Sequence, residues 1–392
     1  MQLPLQMVDL KKQYARLKTD IDLAIADTLA HTRFIKGPNF TAFQQELSAY
    51  LNNANVIACA NGTDALQIAF MALGLQPGDE VIVPAFTYAA TAEVIGLLGL
   101  TPVMVDVDPQ TFNITLENIL PAVGPKTKAI VPVHLFGQCA DMEPILKFAQ
   151  ENNLYVVEDT AQAIGAVYRF ANGKSDFAGC MGTIGTTSFF PSKNLGCFGD
   201  GGAIFSRNPE LAEKLRMIAN HGQAKQYYHE IIGVNSRLDE LQAAILRVKL
   251  KELTDFNQRR QQAAAFYDEK LSQIPAIRIP FRNPNSTHVF HQYTIKVCSG
   301  QSEKSEKSEK SEKSERDELK KYLETKGIPS MIYYPMPLDE QNAFKAIGRV
   351  VGNLEKSKQL CREVLSLPIH TEMEEAELTY ITEQILEFFR NK

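Results

Sequence analysis

The sequence predicts an α/β protein, with a large domain on a mostly parallel sheet followed by a smaller α+β domain. Three observations carry that expectation. Through the first 245 positions, short apolar runs alternate with helical segments of about ten residues, the pattern of βαβ units. Helical composition then runs from Leu238 to Leu271, too long for an ordinary globular helix, as expected of a link between domains. Beyond it, over 246–392, the alternation stops and short strands mix with helices.

In chain order, Leu10, Tyr14, Leu17, Ile21, Ile25 and Leu29 recur at intervals of three and four, predicting a helix over Asp9–Ala30. The loop Arg33–Pro38 precedes a second helix, Phe40–Leu51. A strand at Val56–Ala60 ends in the turn Asn61-Gly62-Thr63-Asp64 and is followed by a helix over Ala65–Leu73, stopped by Gly74. Strands follow at Val81–Val83, Val103–Val107, Ala129–Val133 and Leu154–Val157, separated by helices at Ala89–Leu98, Leu116–Ala122 and Met142–Glu151. Gly182–Phe205 supplies two more strands, expected at Ser188–Phe190 and Gly202–Phe205. In the C-terminal part a strand is expected near His291–Val297, with helices at Arg316–Lys326, Leu354–Cys361 and Glu375–Arg390. Ser302–Glu315 reads SEK four times and then SE. A period of three spreads its charges around any helix, so 301–315 is expected to be a solvated low-complexity loop without a function.

The 392 residues are 44% hydrophobic and 22% charged, enough to bury a core. A net charge of −5 offers no basic footprint for nucleic acid or an anionic membrane. No apolar run reaches the roughly 20 residues that span a bilayer. The opening MQLPLQMVDLKKQY has no signal-peptide pattern, and a cytoplasmic location is expected. Six cysteines, at 59, 139, 180, 197, 298 and 361, lack metal-ligand spacing and read as reduced, mostly buried thiols; no metal is expected.

Chemistry concentrates in Thr186–Ile204, TTSFFPSKNLGCFGDGGAI. Lys193 lies there between two apolar runs, among glycines 185, 196, 199, 201 and 202. A loop lysine is ordinarily solvated. Held in an apolar, backbone-tight pocket, its amine is desolvated and becomes nucleophilic. The glycines read as room for backbone to approach a ligand. The turn Asn61–Asp64 suits a phosphate at a helix N-terminus, and equally suits a plain Asn-Gly turn with an N-cap. Glu158-Asp159-Thr160-Ala161-Gln162 follows an apolar strand, where α/β folds place ligands. Asp159 could face a cationic ring nitrogen; alone, it reads more simply as a cap. Asn235-Ser236-Arg237 either caps the long helix or reaches an anionic ligand across a subunit interface. His134 and Cys197 read as buried structural groups.

Together these pieces form a phosphate cradle, a carboxylate and a lysine, the protein side of a pyridoxal phosphate site. The segments NGTDAL, PAFTYAATA, VEDTAQAIGA, TTSFFPSKNLGCFGDGGAI and GVNSRLDELQAAIL, in this order, resemble the sugar aminotransferases of the DegT/DnrJ/EryC1/StrS family, and the likeness runs from MVDLKKQY to the last helix. The resemblance implies a fold-type I homodimer with a seven-stranded, mostly parallel mixed sheet and pyridoxal 5'-phosphate as cofactor. It implies Lys193 as the Schiff-base lysine and Asp159 at the pyridine nitrogen. Gln162 would lie near the ring hydroxyl and Tyr88 on the ring face. Gly62, Thr63 and Ser188 would hold the phosphate, with Asn235 coming from the partner subunit.

The activity implied is transamination, with L-glutamate as donor and a keto nucleotide sugar as acceptor. Segments such as HLFGQCADM, ANHGQ and MIYYPMPL are most similar to enzymes that aminate C3 of a UDP-2-acetamido-2-deoxy-3-oxo-hexose or its uronate for surface polysaccharides. A dTDP-3-keto- or 4-keto-6-deoxyhexose is the alternative acceptor. A sugar dehydratase of the same fold would carry histidine in place of Lys193, and a non-catalytic regulator would need none of Lys193, Asp159 and Gln162. Arg33–Lys36, His221, Arg237, His291 and Tyr333-Tyr334 are candidates to line the sugar site; the two tyrosines read equally as loop packing.

Overall fold

The computed structural model describes residues 5–298 and 314–392. Helices α1 (Leu10–His31) and α2 (Pro38–Tyr50) precede β1 (Asn55–Cys59), α3 (Gly62–Leu73), β2 (Glu80–Pro84), α4 (Ala90–Leu97), β3 (Thr101–Val105), α5 (Leu116–Ile119), β4 (Thr127–Ile130), α6 (Met142–Glu151) and β5 (Tyr155–Asp159). A hairpin of β6 (Val167–Arg169) and β7 (Ser175–Phe177) leads to β8 (Ile184–Ser188) and β9 (Gly202–Ser206). Next come α7 (Pro209–Ala219), a hairpin of β10 (Gln223–Lys225) and β11 (Tyr228–His229), then α8 (Glu240–Leu250) and α9 (Leu253–Leu271). The chain closes with β12 (Ile277–Arg278), β13 (Tyr293–Val297), α10 (Glu315–Thr325), β14 (Arg349–Val350), α11 (Glu355–Glu363), β15 (Val364–Leu367) and α12 (Glu375–Arg390).

The main sheet has the order β1-β9-β8-β5-β4-β2-β3-β14. Only β9 runs against its neighbours; the other pairings are parallel. Its seven long strands match the expected set except that β8 (Ile184–Ser188) lies before the expected run Ser188–Phe190 and shares only Ser188 with it. The eighth, β14, is two residues long and adds to β3 from far along the chain, which corrects the count of seven. Helices cover both faces, so each strand buries alternate residues in different cores. Val81 and Val83 of β2 join α3, α4 and α7 on one side, while Ile82 joins α5 and α6 on the other. Burial on both faces is why these strands read as unbroken apolar runs.

The expected single helix over Leu238–Leu271 is two helices, broken at Lys251-Glu252. Helix α8 packs with α2, β1 and β9, and α9 packs with α10, α12 and the small sheet β12-β13-β15. The break is what lets one helical run serve two cores. The C-terminal segment also returns to the first core through Leu338, Phe344 and Leu354. The SEK repeat lies outside the described residues up to 313. Its last two residues are not loop: Ser314 accepts a hydrogen bond from Asp317 N as the N-cap of α10, and Glu315 opens that helix.

Candidate active site

The C-terminal ends of β1, β2, β5 and β8 open onto one cavity of about 810 Å³, the place a parallel sheet offers a ligand. Gly62, Thr63, Tyr88, Asp159, Gln162, Ser188 and Lys193 all line it. Asn235 does not. It is exposed and bridges Asn220 on the chain's surface.

At the β1–α3 turn, Asn61 adopts extended backbone and its side chain accepts from Asp64 N at 2.8 Å. The turn is an N-cap, and the reading of it as an anion site is compatible with that, because a capped helix still presents the remaining amides of its first turn. Three backbones converge here. A Cβ on Gly62 would lie 2.8 Å from Ser188 Cβ, and one on Gly202 would lie 2.4 Å from the Asn61 carbonyl carbon. A side chain at Gly62 would fill the cradle that Thr63 and Ser188 border.

Asp159 ends β5 and is buried. It caps no helix, contrary to the simpler expectation. Its Oδ2 accepts from Thr91 Oγ1 at 2.9 Å and its Oδ1 from Ala161 N at 3.1 Å. Gln162 is held by both ends of its amide: Oε1 accepts from Phe136 N at 2.7 Å, and Nε2 donates to Tyr334 OH at 3.3 Å. Tyr88 is exposed, with its ring 6.4 Å from that of Tyr334.

Lys193 lies in the loop between β8 and β9, with its backbone N–H on Phe190 O at 2.8 Å. Desolvation pulls its ammonium down to a pKa of about 8, against which the Asp159 carboxylate pulls upward. No hydrogen bond or ion pair holds the amine among the described residues. A desolvated amine without a partner gives up its proton more readily than an ordinary lysine and is the more nucleophilic for it.

Two of the neighbouring glycines, Gly185 and Gly196, have a different role from the one expected. A Cβ on Gly185 would meet Gly179 O at 2.0 Å, and one on Gly196 would meet Pro191 O at 2.4 Å. They admit backbone against backbone within the protein.

Of the candidate sugar-site residues, His291, Tyr333 and Tyr334 line the cavity. Burial keeps His291 neutral, and the nearby Lys193 and Arg260 charges act in the same direction. Arg33–Lys36, His221 and Arg237 lie outside it. Lys36 Nζ instead donates to Asn220 Oδ1 at 2.8 Å. His134 and Cys197 are structural, as expected. His134 Nδ1 accepts from Ala140 N, so Nε2 carries the proton toward Glu158 at 2.9 Å. Glu158 is further satisfied by the amides of Gly179, Met181 and Gly182. Thr91 is the participant the sequence reading missed. Its position three residues after Tyr88, in the first turn of α4, was the available signal.

A buried carboxylate, a lysine with a depressed pKa, a helix N-terminus kept clear by glycine and an exposed tyrosine fit the ring, aldehyde and phosphate of pyridoxal phosphate. The model of the DegT/DnrJ/EryC1/StrS aminotransferase family matches residues 15–386. The chain belongs to this family. It is a pyridoxal-phosphate-dependent aminotransferase. The aminotransferase is 44% identical to a pleiotropic regulatory protein of Geobacillus stearothermophilus, over 98% of each chain. It is 43% identical to the UDP-2-acetamido-2-deoxy-3-oxo-D-glucuronate aminotransferase of Pseudomonas aeruginosa, over 96% of this chain and 98% of that one. Among solved structures, it superposes on S. venezuelae DesV in complex with a ketimine intermediate. That match has a TM-score of 0.90 at 38% identity and covers 98% of each chain.

Proposed function

We propose that this aminotransferase moves an amino group from L-glutamate to C3 of a UDP-2-acetamido-2-deoxy-3-oxo-hexose or its uronate, supplying amino sugars for surface polysaccharides. The observation that carries this reading is the free amine of Lys193, lowered to about 8, within the field of the buried Asp159 in one cavity. The likeness to the Pseudomonas aeruginosa enzyme directs it toward the UDP sugar.

The cofactor, when bound, supplies the electron sink that makes the substrate Cα–H acidic. The chain's own residues do the rest. Lys193 would hold the cofactor and, with its amine free, would be the base that takes the proton from the donor's Cα and, in the second half-reaction, returns one to the carbon being aminated. Asp159, oriented by Thr91 and Ala161 N, keeps the ring nitrogen protonated. Gly62, Thr63 and Ser188 receive the phosphate at the α3 N-terminus. Gln162, fixed by Phe136 N and Tyr334, orients the ring hydroxyl, and Tyr88 covers the ring face. Asn235 completes the phosphate site of a second subunit. Its exposure, outside its own cavity, supports a homodimer with shared sites.

A regulatory reading is favoured by the printed name of the Geobacillus relative. Its discriminator is turnover. With glutamate as donor, 2-oxoglutarate release is measured against UDP-2-acetamido-3-oxo-glucose, the matching glucuronate and dTDP-3-keto- and 4-keto-6-deoxyglucose. The highest kcat/KM is expected with a UDP sugar. A preference for a dTDP sugar would overturn the substrate, and absence of turnover with all four would favour the regulator.

A further inference from the structure

Two side chains of α8 grip the loop that carries Lys193, and neither lines the cavity. Lys249 is only 1% exposed. Its ammonium donates to Gly196 O at 2.7 Å and lies 4.6 Å from the centre of the Phe198 ring. About two turns earlier on the same helix face, Gln242 accepts from Phe198 N at 2.8 Å and donates to Phe198 O at 3.3 Å. The loop itself has little regular structure. It turns back on the end of β8 through Lys193 N on Phe190 O and Cys197 N on Phe189 O, both at 2.8 Å.

Stability does not account for Lys249. Among the described residues no carboxylate pairs with it, and lysine is almost never fully buried without a partner. Burying an ammonium against one carbonyl and one ring is unfavourable compared with an apolar chain of the same length. Desolvation accordingly lowers its pKa to about 8, with Cys197 opposing. What the lysine does secure is a carbonyl three residues beyond Lys193, in a loop whose own packing leaves no room for a side chain at Gly196.

We propose that Gln242 and Lys249 form a two-point clamp on the 190–201 loop, with Lys249 a positioning residue that fixes where Lys193 stands. The inference rests on the reading of Lys193 as the cofactor lysine. A displacement of about 1 Å at a reacting group can lower a rate by about a hundredfold, so a loosened loop should register in turnover before it registers in folding.

Lys249→Met and Gln242→Leu test it in the full chain. In cofactor-free protein, amide hydrogen exchange in the peptide spanning 189–201 is expected to speed up about tenfold or more in each variant, while β2–β5 keep their protection. The melting temperature of Lys249→Met is expected to stay level or rise. With cofactor bound, the pH midpoint of the visible band should shift by about half a unit or more, and kcat should fall about tenfold at unchanged KM. A Lys249→Met protein that only melts earlier, with exchange, pH midpoint and kcat unchanged, would show a packing role and overturn the clamp. Should that variant not fold, Gln242→Leu decides alone, since its side chain is only half-buried; native exchange there overturns the proposal. Native protein that fails to fix cofactor on Lys193 would instead sink the underlying reading, while the cofactor-free exchange still judges the clamp.

Discussion

At the residue scale the proposed chemistry rests on Lys193 and Asp159, and the setting of each has a consequence in solution. Lys193 titrates at about 8 when folded against an ordinary 10.5. Between those values the unfolded chain binds more protons, so stability of the cofactor-free protein rises with pH across that window. Below about 8 both states are protonated and the destabilisation is constant. Lys193→Met should therefore melt above the native apoprotein at pH 7, and the gap should narrow from pH 8 toward 10.5. A gap that does not depend on pH would contradict the desolvated amine. Lys193→Ala should lower turnover by roughly a thousandfold or more. Thr91→Val removes the donor to Asp159 Oδ2. It is expected to weaken cofactor binding about tenfold by fluorescence titration, the loss of one hydrogen bond to a charged group; unchanged affinity would remove Thr91 from the account. Lys193 was legible as a charge set among apolar and glycine residues, and Asp159 only in company with it and with the turn at Asn61–Asp64. Thr91 and the bond from Gln162 to Tyr334 were not, because these partners lie 68 and 172 residues apart and only the fold joins them.

At the element scale, the site exists because β1, β8 and β9 approach closely enough to press a strand against the α3 turn. Gly202→Ala places a methyl group 2.4 Å from the Asn61 carbonyl carbon. Backbone cannot yield as a side-chain tip does, so a loss of about 1–3 kcal/mol in denaturant unfolding is expected, together with weaker phosphate binding. Native behaviour would mean that the turn has slack. Strands β1 to β5 were readable as apolar runs because helices bury both faces of the sheet. Strand β14 carried no such signal, being two residues paired along one edge. The break between α8 and α9 was hidden for a related reason: Lys251-Glu252 has ordinary helical composition, and the two cores on either side decide where the helix turns.

At the scale of the whole molecule, Asn235 separates a site complete in one chain from one shared between two. Asn235→Ala should weaken cofactor binding although the residue lies outside its own cavity. Mixing it with Lys193→Ala should restore activity, since each mixed dimer rebuilds one site with a native Lys193 and a native Asn235. Co-expression that gives no more activity than the impaired Asn235→Ala protein alone would contradict the shared site. The family and cofactor were legible in the order of the motifs along the chain. The acceptor sugar was less so, because Arg33–Lys36, His221 and Arg237 do not reach the cavity of a single chain. The account stands most directly on where the cofactor attaches. Native protein loaded with pyridoxal phosphate and reduced with borohydride should show the added mass on the peptide containing Lys193 and lose its visible band. Cofactor fixed at another lysine, or a protein that binds none with Lys193 intact, would contradict it.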